Sequence, residues 1–235
     1  MDSKRRLFLR RCGELGCVSL MARQVFLGPP QATGQGDLFA RMTWMNDPAS
    51  WRQVGARLLV RSRAKTDFWR KTFYGYITHS GHFFHLTASG DFTFQCRIDG
   101  QYAALYDQAG IMVHLDAENW MKCGTEFFDG QRHASVVFTR DFSDWSTMPD
   151  LSNSGPIWWR AARKKDSIET LCSRDGKTFT SVRQGYFLPG VKVEVGIMCA
   201  APEGPGFQAV FDDVKLGVGH EEDFAPAYRD QERPR

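Results

Sequence analysis

The sequence predicts an all-β protein, a sandwich of short antiparallel strands, and three observations carry that expectation. From residue 37 onward the chain breaks into short segments in which apolar and polar residues alternate, the period of a half-buried strand. Turn signals punctuate these segments at regular intervals. Aromatic residues make up 13% of the chain, including 18 Phe and 7 Trp, and such rings fit pleated surfaces. No body segment of useful length carries the 3.6-residue period of an amphipathic helix, which argues against parallel βαβ units.

Residues 1–36 stand apart from this pattern. "SKRRLFLRRCGELGCVSLMA" pairs Arg5 and Arg6 with Phe8 and Leu9, and resembles a bacterial twin-arginine export signal. That resemblance implies export to the periplasm; a basic leader with no export role would leave the protein cytoplasmic. Glu14 and Arg23 are departures, because both interrupt a region that should be apolar. "GPPQATGQGD" then reads as a flexible linker. Much of the net charge of +3 sits in the leader, so the near-neutral body gives no electrostatic case for nucleic acid. No apolar run reaches the roughly 18 residues of a membrane-spanning helix.

The sandwich domain is expected over residues 37–219, with a polar tail at 220–235. In "DFTFQCRIDG", Phe92, Phe94, Cys96 and Ile98 point one way, Thr93, Gln95 and Arg97 the other, and Asp99-Gly100 supplies a turn. "HASVVFTRD", "VKVEVGIMCA" and "GFQAVFDDVKLG" repeat the style, and Lys165-Asp166 and Asp175-Gly176 mark further hairpins. "FSDWS" reads as a turn built on Asp144. Cys96, Cys123, Cys172 and Cys199 are widely spaced, without the Cys-x-x-Cys pairs of a zinc site. Three of them sit at apolar positions of strand patterns, where buried free thiols are expected, with one disulfide the alternative in an exported protein. Neither a metal nor a cofactor is expected: His79, His82 and His85 of "THSGHFFH" fall on alternating faces and form no ligand set.

The stretch "YDQAGIMVHLDAENWMKCGTEF", residues 106–127, reads as a hairpin with a Leu115–Asn119 loop. Ala109, Ile111, Val113 and Leu115, with Met121, Cys123, Thr125 and Phe127 on the next strand, take the core side. The opposite parity gathers Tyr106, Gln108, Gly110, Met112, His114, Trp120, Lys122, Gly124 and Glu126. This register sets His114 against Trp120, Met112 against Lys122, Gly110 against Gly124 and Gln108 against Glu126. Directly opposed residues have Cβ atoms about 4.5–5.5 Å apart. The two glycines admit three readings: a bend in a curved sheet, close approach of a ligand, or packing of a neighbouring loop.

"WMNDPASW", "TDFWRKTFYGY", "SGHFFH", "LYDQAGIMV", "NWMKCGTEFFDG", "SVVFTRDFSDWS", "SRDGKTF" and "GIMCAAPEGPGF" occur in the order seen in the regulation of enolase protein 1 family. The resemblance spans residues 43–217 and implies a two-sheet jelly roll of the concanavalin A-like lectin/glucanase superfamily. It also implies a sugar context by analogy, and a link to enolase regulation through the family's name. On the superfamily's usual ligand-binding sheet, Trp69, Tyr74, Tyr106, Trp120 and Trp145 are the rings to stack on a sugar, with Gln108, Lys122 and Glu126 bonding its hydroxyls.

Superfamily glucanases set two carboxylates on one face of one strand, whereas Glu126 has Gly124 and Lys122 at its same-face positions. Glu126 is therefore the lone candidate for catalysis, with Lys122 or His82 to hold developing negative charge. The leading expectation is non-catalytic carbohydrate binding. The alternatives are a protein-interaction module acting on a metabolic enzyme such as enolase, and a carbohydrate-active hydrolase or lyase using Glu126.

Overall fold

The computed structural model describes residues 35–149, 151 and 154–218; the predicted tail and all of the predicted leader and linker but residues 35 and 36 lie outside them, and those two, expected as linker, begin a helix. A short helix, α1 (Gln35–Ala40), precedes sixteen strands numbered in chain order. The front sheet runs β1 (Thr43–Met45), β6 (His82–Ala88), β15 (Val193–Ala200), β8 (Gln108–His114), β9 (Asn119–Phe128), β10 (Gln131–Arg140), β11 (Phe142–Met148). The back sheet runs β14 (Thr180–Tyr186), β13 (Ser167–Ser173), β12 (Ile157–Lys164), β7 (Phe92–Gly100), β16 (Gln208–Val218), β3 (Arg57–Arg61), β2 (Ser50–Val54). Every neighbouring pair is antiparallel. The expected two-sheet jelly-roll sandwich is present. Among the described residues no helix is long and apolar enough to cross a membrane.

Alternation explains the core. Phe92, Phe94, Cys96 and Ile98 of β7 are all buried, as are Ala109, Ile111 and Val113 of β8 and Met121 and Cys123 of β9. The indole N–H of Trp159 on β12 reaches across to Thr125 Oγ1 on β9 at 3.3 Å, joining the two sheets by one of the few polar contacts in an apolar layer. The four described cysteines are buried and free. Lys165-Asp166 turns β12 into β13, as the sequence suggested.

Two turn expectations are corrected. β7 runs through Asp99 and Gly100, which pair with Val210 and Ala209 of β16. Cross-strand hydrogen bonding overrides the local turn preference of Asp-Gly. "FSDWS" is likewise strand: β11 pairs with β10 from Arg140↔Phe142 to Ala134↔Met148. The turn falls one residue earlier, at Asp141, whose φ is +61°. Asp144 instead accepts from Arg183 Nη2 at 2.8 Å.

What sets this sandwich apart from a bare pair of sheets is a third layer. A two-stranded hairpin, β4 (Phe68–Arg70) and β5 (Ile77–His79), lies over the outer face of the front sheet. It creates a second apolar cluster, separate from the core, of Phe68, Trp69, Phe83, Met112, Trp120, Val137 and Met198.

Candidate functional site

The register of β8 against β9 is the one expected from the sequence: Gln108↔Glu126, Gly110↔Gly124, Met112↔Lys122 and His114↔Trp120. β10 extends the outer face by Glu126↔His133, Gly124↔Ser135 and Lys122↔Val137, and β11 adds Trp145 opposite Val137. Sequence parity thus places one continuous polar and aromatic surface on four strands.

Lys122 anchors the base of this surface. Its ammonium donates to Phe68 O at 2.8 Å, Gln108 Oε1 at 2.7 Å and Asp67 Oδ1 at 3.3 Å. An ammonium has three N–H donors, so all are committed within the protein. Asp67 Oδ1 also accepts from Gln108 Nε2 at 3.2 Å and from the Phe68 amide at 2.8 Å. Beside this network Glu126 is buried, and its Oε2 has no hydrogen-bond partner. Burial pushes the Glu126 carboxyl above the usual range, with the Asp67 charge adding to it, while Lys122, Ser135 and Trp145 work in the other direction. A void of about 10 Å³ lies here, bounded by Gln108, Lys122, Gly124, Glu126, Ser135 and Met198 among others. That is room for about one water-sized group.

Aromatic rings form the rim. Trp145 is 36% exposed and meets Trp69, Tyr106 and Phe128 edge-on, at centroid separations of 6.5, 6.3 and 5.6 Å. Its indole N–H donates to Ser135 Oγ at 2.9 Å, which fixes the ring over the site. Tyr74 and Tyr76, from the turn of the covering hairpin, are exposed and 5.6 Å apart. The Tyr74 and Tyr106 hydroxyls are 3.4 Å apart. That contact, ahead of burial, pushes the Tyr106 phenol up to about 12.

Several sequence-predicted contacts change role. Trp120 is completely buried beneath Phe68, at 6.1 Å between centroids, so it presents no stacking face. Trp69 is buried as well, its indole N–H donating to Thr72 O at 3.0 Å. His82 points away from this face: its Nδ1 donates to Asn46 O at 2.7 Å and its Nε2 accepts from the Arg63 amide at 2.9 Å. Both ring nitrogens serve backbone groups. Gln108 and Lys122 hold the hairpin down and are not free for a ligand. The covering hairpin explains the changes at Trp120, Trp69, Gln108 and Lys122, since strand parity reports a face and says nothing of what lies over it, whereas His82 is taken up by the backbone at Asn46 and Arg63.

The glycine pair also resolves. A Cβ on Gly110 would come within 1.9 Å of the Cys123 carbonyl oxygen, and one on Gly124 within 2.3 Å of the Ala109 carbonyl oxygen. Each glycine is needed because the opposite backbone itself approaches too closely for a side chain.

At the other end of the hairpin, His79 Nε2 donates to His114 Nε2 at 3.2 Å, and His114 Nδ1 donates to Glu194 Oε2 at 2.8 Å. This proton order leaves His79 Nδ1 as a bare, buried acceptor without a partner. Burial, with the nearby His114 and Arg70, lowers the His79 pKa to about 4.

Sequence reasoning missed His133 and Ser135. The signal was present: a two-residue Asp129-Gly130 turn pairs Phe128 with Gln131 and so sets His133 against Glu126. A larger cavity of about 330 Å³, beside that turn, is lined by Asp99, Tyr102, Arg132 and Gly155 among others and contains none of the predicted site residues. Its Arg132 donates to the Gly155 carbonyl at 2.7 Å.

Residues 44–218, nearly the whole sandwich, match the family model described as protein of unknown function (DUF1349). The chain belongs to the DUF1349 family. It is 40% identical over 174 residues to "Regulation of enolase protein 1" of Saccharomyces cerevisiae, spanning 74% of this chain and 88% of that protein. The crystal structure of a functionally unknown S. cerevisiae protein superimposes with a TM-score of 0.74 at 38% identity, covering 77% of this chain and 98% of the other. More distant likenesses bear on the fold alone. The GH43 protein BlXynB (K247S) of Bacillus licheniformis gives a TM-score of 0.61 at 16% identity, over 75% of this chain and 36% of that one. The carbohydrate-binding module CBM66 of Bacillus subtilis gives 0.50 at 13%, over 74% and 94%. The DUF1349 sandwich thus shares its concanavalin A-like architecture with a carbohydrate-binding module and with part of a longer GH43 chain.

Proposed function

We propose that this DUF1349 domain binds carbohydrate without catalysis, on the outer front-sheet surface where Tyr74, Tyr106 and Trp145 surround Glu126. The observation that carries the reading is the pairing of half-exposed rings with a buried carboxyl oxygen that lacks a partner. Rings bury the apolar C–H face of a sugar, and an unpaired acceptor inside a protein calls for a donor. Trp69 backs Trp145, while Gln108, Lys122 and Asp67 position the floor. A hydrolytic role lacks support: the nearby carboxylate, Asp67, spends one oxygen on three N–H donors of the scaffold. The fold's recurrence in a carbohydrate-binding module and in a GH43 protein is in keeping with the proposal.

The test is a glycan array followed by saccharide titration with Trp fluorescence. Binding that is lost in Trp145→Ala, with the fold intact by circular dichroism, supports the reading. A wild-type protein that binds no saccharide overturns it.

A second reading, a protein-interaction module, draws on Phe73. That ring is 92% exposed at the hairpin turn, next to exposed Tyr74, Tyr76 and Ile77. The name of the 40% identical yeast protein makes enolase the partner to try first. Capture of purified enolase that Phe73→Ser abolishes would support this reading; no capture by the wild type would end it.

A further inference from the structure

Glu126 and His133 stand directly opposite each other on β9 and β10, on the outer face. Both are more than nine-tenths buried, and each leaves one buried atom without a partner, Glu126 Oε2 and His133 Nε2. Two such atoms on adjacent side chains are unusual, because buried polar groups are almost always bonded. The His133 ring is held in place by stacking on Phe128, centroids 3.7 Å apart and planes within 11°. Ser135 accepts the Trp145 N–H, and its own hydroxyl bonds the Glu126 carboxyl, leaving Oε2 as the oxygen without a partner.

The charges around the void select against an ionic guest. Lys122 lines it, which disfavours an ammonium; Glu126 lines it and Asp67 lies beside Lys122, which disfavours a carboxylate or phosphate. A neutral hydroxyl fits, because it can donate to the Glu126 carboxyl oxygen that lines the void; His133 lies outside that lining but stands directly across from Glu126 and holds the second unpaired atom. The size of the void excludes a sugar ring and admits only a water-sized group on a narrow stalk.

We propose that Glu126 and His133 form a paired subsite for a single ligand hydroxyl, the hydroxymethyl arm of a hexose, with the sugar ring lying outside against Tyr106 and Trp145. This rests on the carbohydrate reading above and narrows it: the ligand is a hexose presenting a free hydroxymethyl group, and a pentose is discriminated against. Mutual pairing supplies the discrimination. With no hydroxymethyl to enter, the carboxyl oxygen and the imidazole nitrogen stay unbonded, and a buried unpaired group is costly.

Two matched pairs of glycosides differ only in that arm: methyl β-D-glucopyranoside against methyl β-D-xylopyranoside, and methyl β-D-galactopyranoside against methyl α-L-arabinopyranoside. Saturation-transfer NMR and calorimetric titration of the full chain should show at least one hexoside binding about tenfold more tightly than its pentoside. Glu126→Gln and His133→Phe, the latter keeping the stack on Phe128, should each remove that preference. Thermal melting verifies that both variants fold. Equal binding of hexoside and pentoside, or a preference intact in both variants, overturns the subsite but leaves the carbohydrate reading standing. If no glycoside binds the wild type, both fall together.

Discussion

Lys122, in the middle of β9, donates to the main-chain carbonyl of Phe68 at 2.8 Å and so ties the covering hairpin to the front sheet. The same ammonium pairs with Asp67 at 3.3 Å, and both side chains are largely buried. The hairpin turns what would be an open sheet face into an apolar floor at one end and a roofed polar recess at the other. Each prediction below follows from that third layer or from the strands beneath it.

Lys122→Met keeps the length of the side chain but leaves Asp67 and the Phe68 carbonyl without their donor. Removing one member of a buried pair typically costs about 3–5 kcal/mol. Urea unfolding should show a loss of about that size. Acrylamide quenching should reach Trp120, which the wild type buries completely.

Gly110→Ala and Gly124→Ala each drive a methyl group into the opposing backbone, where no rotamer change relieves the contact. Each is expected to cost about 3 kcal/mol, the upper part of the usual overpacking range. The denaturation midpoint should fall in both, with loss of soluble protein as the extreme outcome.

Glu126→Gln should stabilise the fold at pH 8 by about 0.5–2 kcal/mol, the size of common stabilising substitutions, because it removes a buried charge. The sign follows from the raised carboxyl pKa. The folded state prefers the protonated form, so stability is greatest below the unfolded value and declines as pH rises through the folded one. The advantage of glutamine should therefore shrink between pH 8 and pH 4, when unfolding of both proteins is compared across that range.

His79 titrates in the opposite sense. Its folded pKa is lowered from the ordinary value of about 6.5 to about 4, so the neutral ring that donates to His114 is the form the fold prefers. Its stabilising contribution is complete above about 6.5 and is lost as pH falls towards 4. Hydrogen exchange of residues 66–82 should speed up over that window. The pH dependence should flatten in His79→Phe, which cannot be protonated.

Tyr74→Phe removes the hydroxyl that keeps the Tyr106 phenol protonated. The Tyr106 resonance, followed in ¹³C-tyrosine-labelled protein, should titrate at a lower pH than in the wild type, where it holds to about 12. An unchanged titration would assign the shift to burial.

Local pattern made much of this legible in advance. Alternation alone assigned Ala109, Ile111, Val113, Met121 and Cys123 to the core, and the hairpin register followed because a one-residue slip would have put that whole set in water. The same parity brought Tyr106, Gln108, Lys122 and Glu126 to one face. It could not show that β10 completes the face with His133 and Ser135 until the Asp129-Gly130 turn was taken to be two residues long.

By itself, then, the sequence determined the sandwich, its core and the residues that share the outer front face, because side-chain direction in a strand is a local property of period two. Only the tertiary structure decided which of those residues are buried under the hairpin and which stay at the rim. A hairpin contributed from residues 68–79, packed on that face, buried Trp120 and Trp69 and consumed the donors of Lys122. It left one Glu126 oxygen, Oε2, without a partner beside a space the size of one water. Long-range packing and desolvation set those outcomes, and neither is written in the alternation of a single strand.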